Sequence, residues 1–276
     1  MGNRILTLFD MEFKRIQKIF FSAISILIFG NIVIFGACMK TIINHVNKNT
    51  GLNQGLEVLK TSLGSNKFLQ EQLPSFIYPL SYMLMVLALI GCAFYAVLIW
   101  HRDFSSKSKS IYTLFMLPQN RFVIFISKLM TILVLIYSVI FIQHLLWGIE
   151  AFIVSKYSGI PIINMIYSIN NINGVGIFEI IVPIYPTEFF MIFILGPIVA
   201  VTCIFTAVIM SKTKWKIGST LGVVYIVSLG MVYLTIIIKS YDYSDGILRN
   251  NIIFFLVSFL VSICISYILL NKKIYD

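Results

Sequence analysis

Residues 101–128 read HRDFSSKSKSIYTLFMLPQNRFVIFISK, a short basic segment with its own amphipathic pattern between two long apolar runs. Crossing ~30 Å of hydrocarbon takes about 20 residues of helix, because every backbone polar group must be paired within the helix itself. The runs on either side, 76–100 and 129–149, both reach that length without a charged side chain. A polar connector between two spans therefore sets the reading of the whole chain.

Working outward, four further uncharged runs of similar length follow at 19–39, 189–210, 217–238 and 252–270. The composition agrees: 59% hydrophobic, 12% charged and a mean hydropathy of +0.93 describe a chain whose solvent is largely lipid. The fold class expected is an all-α membrane protein, one transmembrane domain over 1–276 with six spans. The first run is too long for a signal-peptide core of about 7 to 15 residues and no small-residue cleavage pattern follows it, so it reads as a permanent span.

Orientation follows from Lys and Arg, which resist translocation in short loops. With the N-terminus placed in the cytoplasm, the inside segments carry 14 Lys and Arg against 4 Asp and Glu, and the outside segments 7 against 7. The net charge of +10 thus falls on one side, with both termini cytoplasmic and the plasma membrane as the location. A basic balance of this kind reports orientation, not nucleic-acid binding.

Residues 1–18 place Ile5, Leu8, Phe9, Phe13 and Ile16 at helical spacing with charges between them, the pattern of an amphipathic helix lying in the cytoplasmic interface. Within the cytoplasmic loop, 101–121, Ile111, Leu114 and Phe115 fall at i, i+3 and i+4. Ser108 or Ser110 suits the start of a short helix over about 107–117, and Pro118 stops it. Asn120 then caps the third span, with Arg121 and Lys128 holding its end at the headgroups. The loop helix presents Tyr112, Phe115 and Met116 in the geometry of a docking knob.

External segments are expected at 40–75, mostly polar, and at 154–188, where Gly, Asn and Pro alternate with apolar patches that suit the outer interface. Asn31, Gln143, His144 and Glu150 are the polar side chains in or beside the spans that could line a translocation path, with Gln143 and Glu150 on one helical face. The more ordinary role for such a histidine is a hydrogen-bonded packing residue. The four cysteines lie singly in apolar runs, and no metal-ligand spacing joins His45, His101 or His144 to a partner. No phosphate-binding loop, HExxH or GxSxG is present, so no nucleotide site and no catalytic residue is expected in this chain.

These segments resemble a known family. The basic amphipathic start ending in Glu12-Phe-Lys-Arg15, and Ser110-Ile-Tyr-Thr-Leu-Phe-Met-Leu-Pro-Gln-Asn-Arg121 followed by Ser127-Lys128, are similar to the pattern of type-2 ABC exporter permeases, six-span subunits that pair with a separate ATPase. The resemblance implies an N-terminal elbow helix and a coupling helix whose Ile111, Tyr112, Leu114, Phe115, Met116, Pro118 and Arg121 dock on a cytoplasmic ABC ATPase. It also implies a second permease, identical or related, with ATP and Mg held by the ATPase and no cofactor here. With only 239–251 between the last two spans, the chain departs from the branch with a large re-entrant segment there. Compact permeases of this type export antimicrobial peptides, lantibiotics or drugs, the substrate class the resemblance favours.

Two other function classes fit the sequence less well. A secondary transporter or channel calls for inverted repeats or broken helices with ionisable groups at the midplane, whereas the uncharged runs hold no acidic residue. An intramembrane enzyme calls for clustered His, Glu or Asp near one face, which the sequence does not offer.

Overall fold

The computed structural model describes residues 2–50, 67–104, 121–158, 189–212, 218–240 and 244–272, and all of them but the turn at Lys212 are helical. The helices are α1 (Gly2–Thr50), α2 (Lys67–Phe104), α3 (Arg121–Ser158), a π-helical turn (Phe190–Leu195) leading into α4 (Gly196–Ser211), α5 (Gly218–Ser240) and α6 (Ser244–Lys272). Five of them contain stretches long and apolar enough to cross a membrane: Ile5–Thr41, Leu80–Phe104, Arg121–Lys156, Phe190–Ser211 and Arg249–Asn271. The apolar stretch of α5, Thr220–Ile236, is shorter. The architecture is that of a multi-pass membrane protein.

Burial follows lipid logic. Phe29, Phe94, Phe141, Val223 and Met231 point outward, while Ser81, Thr131, Gln143, Thr202, Thr206, Ser262 and Ser266 are buried. In hydrocarbon an apolar side chain gains nothing by leaving the surface, whereas a polar one must find a partner, so hydroxyls and small residues gather between helices. The 1–18 segment is part of the same helix as the first span, since α1 runs from Gly2 to Thr50 without a break.

The chain divides into two compact units. One comprises Met1–Gln17, Ile90–Tyr137 and Phe190–Asp276, the other Lys18–Leu89 and Ser138–Phe189. In the first, α6 turns a stripe at four-residue spacing inward, Ser258, Ser262, Ser266 and Leu270. Thr206 on α4 meets it, bonding the Ser262 carbonyl at 3.1 Å and the Ser266 hydroxyl at 2.9 Å, and Tyr225 on α5 reaches Ser262 Oγ at 2.7 Å. Gly222 lets α5 approach α4 so closely that a Cβ there would lie 2.4 Å from the Ala207 carbonyl oxygen.

The π turn precedes Pro197 in α4. Proline has no N–H to give the carbonyl one turn back, and a wide turn is a common way for a helix to absorb that mismatch. Tyr137 of α3 donates its hydroxyl to the Ile194 carbonyl in that turn at 2.8 Å. In the second unit, α1 and α2 approach at Gly30, where a Cβ would meet Leu84 Cδ1 at 2.9 Å.

Candidate functional site

The first unit contains a buried ring of charge assembled from three helices. On α1, Leu8, Glu12 and Ile16 form one inward stripe at four-residue spacing, so the Glu12 carboxylate is carried inside between two apolar neighbours, 5% exposed. On α2, Ile99, Trp100 and Asp103 face inward, and on α3 Ile124, Phe125, Ser127 and Lys128 do.

Lys128 is fully buried, and its ammonium donates to Glu12 Oε1 at 3.1 Å and to Asp103 Oδ2. The Trp100 ring lies beneath it, 5.4 Å from Nζ to the centroid. Arg102 closes the ring, with Nη2 2.6 Å from Glu12 Oε2 and Nε 3.7 Å from Asp103 Oδ1. Arg15 adds an outer contact to Glu12 at 3.4 Å. Two buried carboxylates thus meet two cations, each cation touching both, which meets the requirement that a buried charge be paired and hydrogen-bonded.

Aromatic rings wall the cluster. Trp100 packs against Phe104, Phe125 and Phe205, with the Phe205 ring edge-on at 5.6 Å. Phe122 stacks on Phe125 at 5.4 Å and meets Tyr267 edge-on at 5.6 Å. Such walls keep water out and strengthen the ion pairs inside.

Lys128 was expected to snorkel to the headgroups and instead lies inside, because two carboxylates within reach satisfy it better than an interface further off. Arg121 contributes differently. Its Nη1 donates to the Leu270 carbonyl at 3.0 Å, satisfying one of the last carbonyls of α6, which have no partner within the helix. The remaining docking candidates, Ile111, Tyr112, Leu114, Phe115, Met116 and Pro118, lie outside the described residues, as do the rest of 105–120.

The second unit holds the translocation candidates. Asn31 and Gln143 exchange reciprocal amide hydrogen bonds, 3.0 Å and 2.9 Å, and both are buried. Asn31 also donates to the Leu27 carbonyl at 2.8 Å. His144 bonds the Ile140 carbonyl through Nδ1 at 2.8 Å and packs edge-on against Trp147 and Phe189. Trp147 donates to Ser81 Oγ at 2.8 Å. Glu150 is buried on the same helix, and no hydrogen bond among the described residues draws it into the amide pair.

The amide pair carries a stability prediction. Gln143→Leu strands the Asn31 side chain, an expected loss of about 1–2 kcal/mol. Unfolding of the full chain in mixed micelles reads the loss, and Asn31→Leu added to it is expected to restore part of it.

Glu12, Asp103 and Lys128 were not singled out as site residues in the sequence. The available signal was position: Glu12 sits four residues from Leu8 and four from Ile16, and Lys128 lies between Ile126 and Leu129 in an otherwise apolar run.

No protein-family model, no curated protein and no solved structure matches this chain.

Proposed function

We propose that this chain is the transmembrane permease subunit of an ATP-driven exporter. It pairs with cytoplasmic ABC ATPase subunits and a second permease, and exports an amphiphilic molecule such as an antimicrobial peptide or drug, a role tied to antibiotic resistance. In this reading α5 also crosses the membrane, which makes six spans, the start of α1 serves as the elbow, both termini are cytoplasmic and the membrane is the plasma membrane.

The observation that supports it is the brace at the two helix ends that carry the 105–120 loop. A loop that receives a push from an ATPase transmits it only if its mount is stiffer than the joint. Asp103 sits one residue before the end of α2 and Lys128 two turns into α3, and their buried ion pair ties those two helices together. Glu12 joins α1 to the same mount through both cations. A push on the loop would therefore move three helices as one.

The reading is tested by isolating the full chain from its native membrane in mild detergent. The preparation is expected to hydrolyse ATP through a bound ATPase. Phe115→Asp combined with Met116→Asp is expected to reduce that recovered activity at least about tenfold, the loss that follows when docking anchors are removed. Unfolding of the chain itself should stay unchanged. Undiminished ATPase in the variant, or none in the parent preparation, counts against the proposal.

A second reading, an ATP-independent secondary transporter, draws on one observation. Glu150 is an ionisable group buried in an apolar helix, as ion-coupled carriers require.

A further inference from the structure

Four charged side chains are buried among the described residues: Glu12, Asp103, Lys128 and Glu150. Three of them balance one another with Arg102. Glu150 stands apart. It is 6% exposed, its Oε2 is enclosed without a hydrogen-bond partner, and none of the ion pairs among the described residues includes it. A carboxylate enclosed in apolar surroundings is strongly disfavoured unless it takes up a proton or a positive charge joins it.

The surroundings narrow what that charge can be. Glu150 lies seven residues beyond Gln143, about 10 Å along α3 and on the same face. Gln143 is occupied by Asn31, and Trp147, one turn before Glu150, is occupied by Ser81. The Cys38 thiol is within electrostatic reach of the carboxylate. A hard inorganic cation needs about six oxygen ligands, and no group of three or more His, Cys, Asp or Glu able to hold a metal ion is found among the described residues. An organic cation needs one carboxylate, with apolar and aromatic neighbours for the rest of the molecule.

We propose that Glu150 is the recognition point for the positively charged group, ammonium or guanidinium, of an amphiphilic organic cation carried by this protein. The inference rests on the transporter reading and holds for either energy source. The amide pair two turns away marks the polar end of the same face, with the buried Trp147 between them.

The test uses the full chain in nanodiscs of zwitterionic lipid, with empty nanodiscs as background. Equilibrium dialysis measures binding of a dansyl-labelled alkylguanidinium and of the uncharged alkylurea of the same chain. Glu150→Gln is expected to weaken binding of the cation at least about tenfold and leave the uncharged probe unaffected, while Glu150→Asp retains most of the cation binding. The unfolding midpoint of Glu150→Gln should equal or exceed the parent's, which separates lost recognition from lost fold. Equal cation binding by parent and Glu150→Gln overturns the proposal, as does an equal loss of both probes. Failure to recover an ATPase with the chain would leave this result standing and bear only on the exporter reading.

Discussion

Lys128→Met is expected to lower the unfolding free energy of the full chain by about 3–5 kcal/mol, the largest single-residue effect in the molecule. The substitution keeps most of the side-chain volume, so packing against Trp100 changes little. What changes is charge. Glu12 and Asp103 remain buried with Arg102, which is partly exposed and reaches Asp103 only at 3.7 Å, and with the outer contact of Arg15 to Glu12 at 3.4 Å. Removing one member of a buried ion pair leaves the other uncompensated, and that penalty exceeds the net worth of the pair when intact. The double change Lys128→Met with Asp103→Leu leaves the 2.6 Å contact between Glu12 and Arg102 in place, and is expected to recover most of the loss. Unfolding in mixed detergent micelles, followed by fluorescence, reads both. If the single change costs no more than the double, the charges are not coupled as described.

The second large effect concerns Gly222. In an exposed helix interior Gly→Ala stabilises by up to about 1 kcal/mol, because alanine restricts the unfolded chain and suits the helix. At Gly222 the sign should reverse. The new Cβ would meet the Ala207 carbonyl oxygen at 2.4 Å and the Ser211 Cβ at 3.4 Å. The closer obstacle is backbone, which cannot rotate away, so α5 must back off from α4 and loosen the Tyr225 bond to Ser262. Gly222→Val is expected to cost about 1–3 kcal/mol in the same unfolding assay. Gly230 on the same helix has nothing within 4 Å of its position for a Cβ, and Gly230→Ala serves as the control with no loss. Equal effects at the two glycines would remove the case for close α4–α5 packing. Gly222 stands four residues after Gly218, a small-residue spacing that accompanies close helix approach in membranes.

How legible the molecule was in its sequence differs between helices and site. Apolar length alone placed the five long helices, since lipid forces backbone pairing and leaves few other structures. The charged ring escaped notice for a related reason. Spans delimited as uncharged runs begin or end at the first charge, so limits of 19, 100 and 129 left all three charges outside: Glu12 read as part of an interfacial helix, Asp103 as loop and Lys128 as a headgroup anchor. The described helices run past those limits, carrying the charges inward to meet one another. Glu150 fell one residue beyond the third run in the same way, yet its spacing from Gln143 marked it as a candidate. The pairing of Asn31 with Gln143 joins positions 112 apart, a contact that periodicity within one helix cannot supply. The stripe of Ser258, Ser262 and Ser266 was not read from the sequence, because its partner Thr206 lies on another helix.

The source of energy separates the two transport readings most sharply. Inside-out vesicles containing the chain with its ATPase, and vesicles containing the chain alone, are loaded from outside with a labelled cationic amphiphile while ATP and the ion gradients are varied independently. The exporter account expects accumulation that requires ATP, persists when the gradients are collapsed, and is absent from vesicles of the chain alone. Accumulation by the isolated chain without ATP would contradict it.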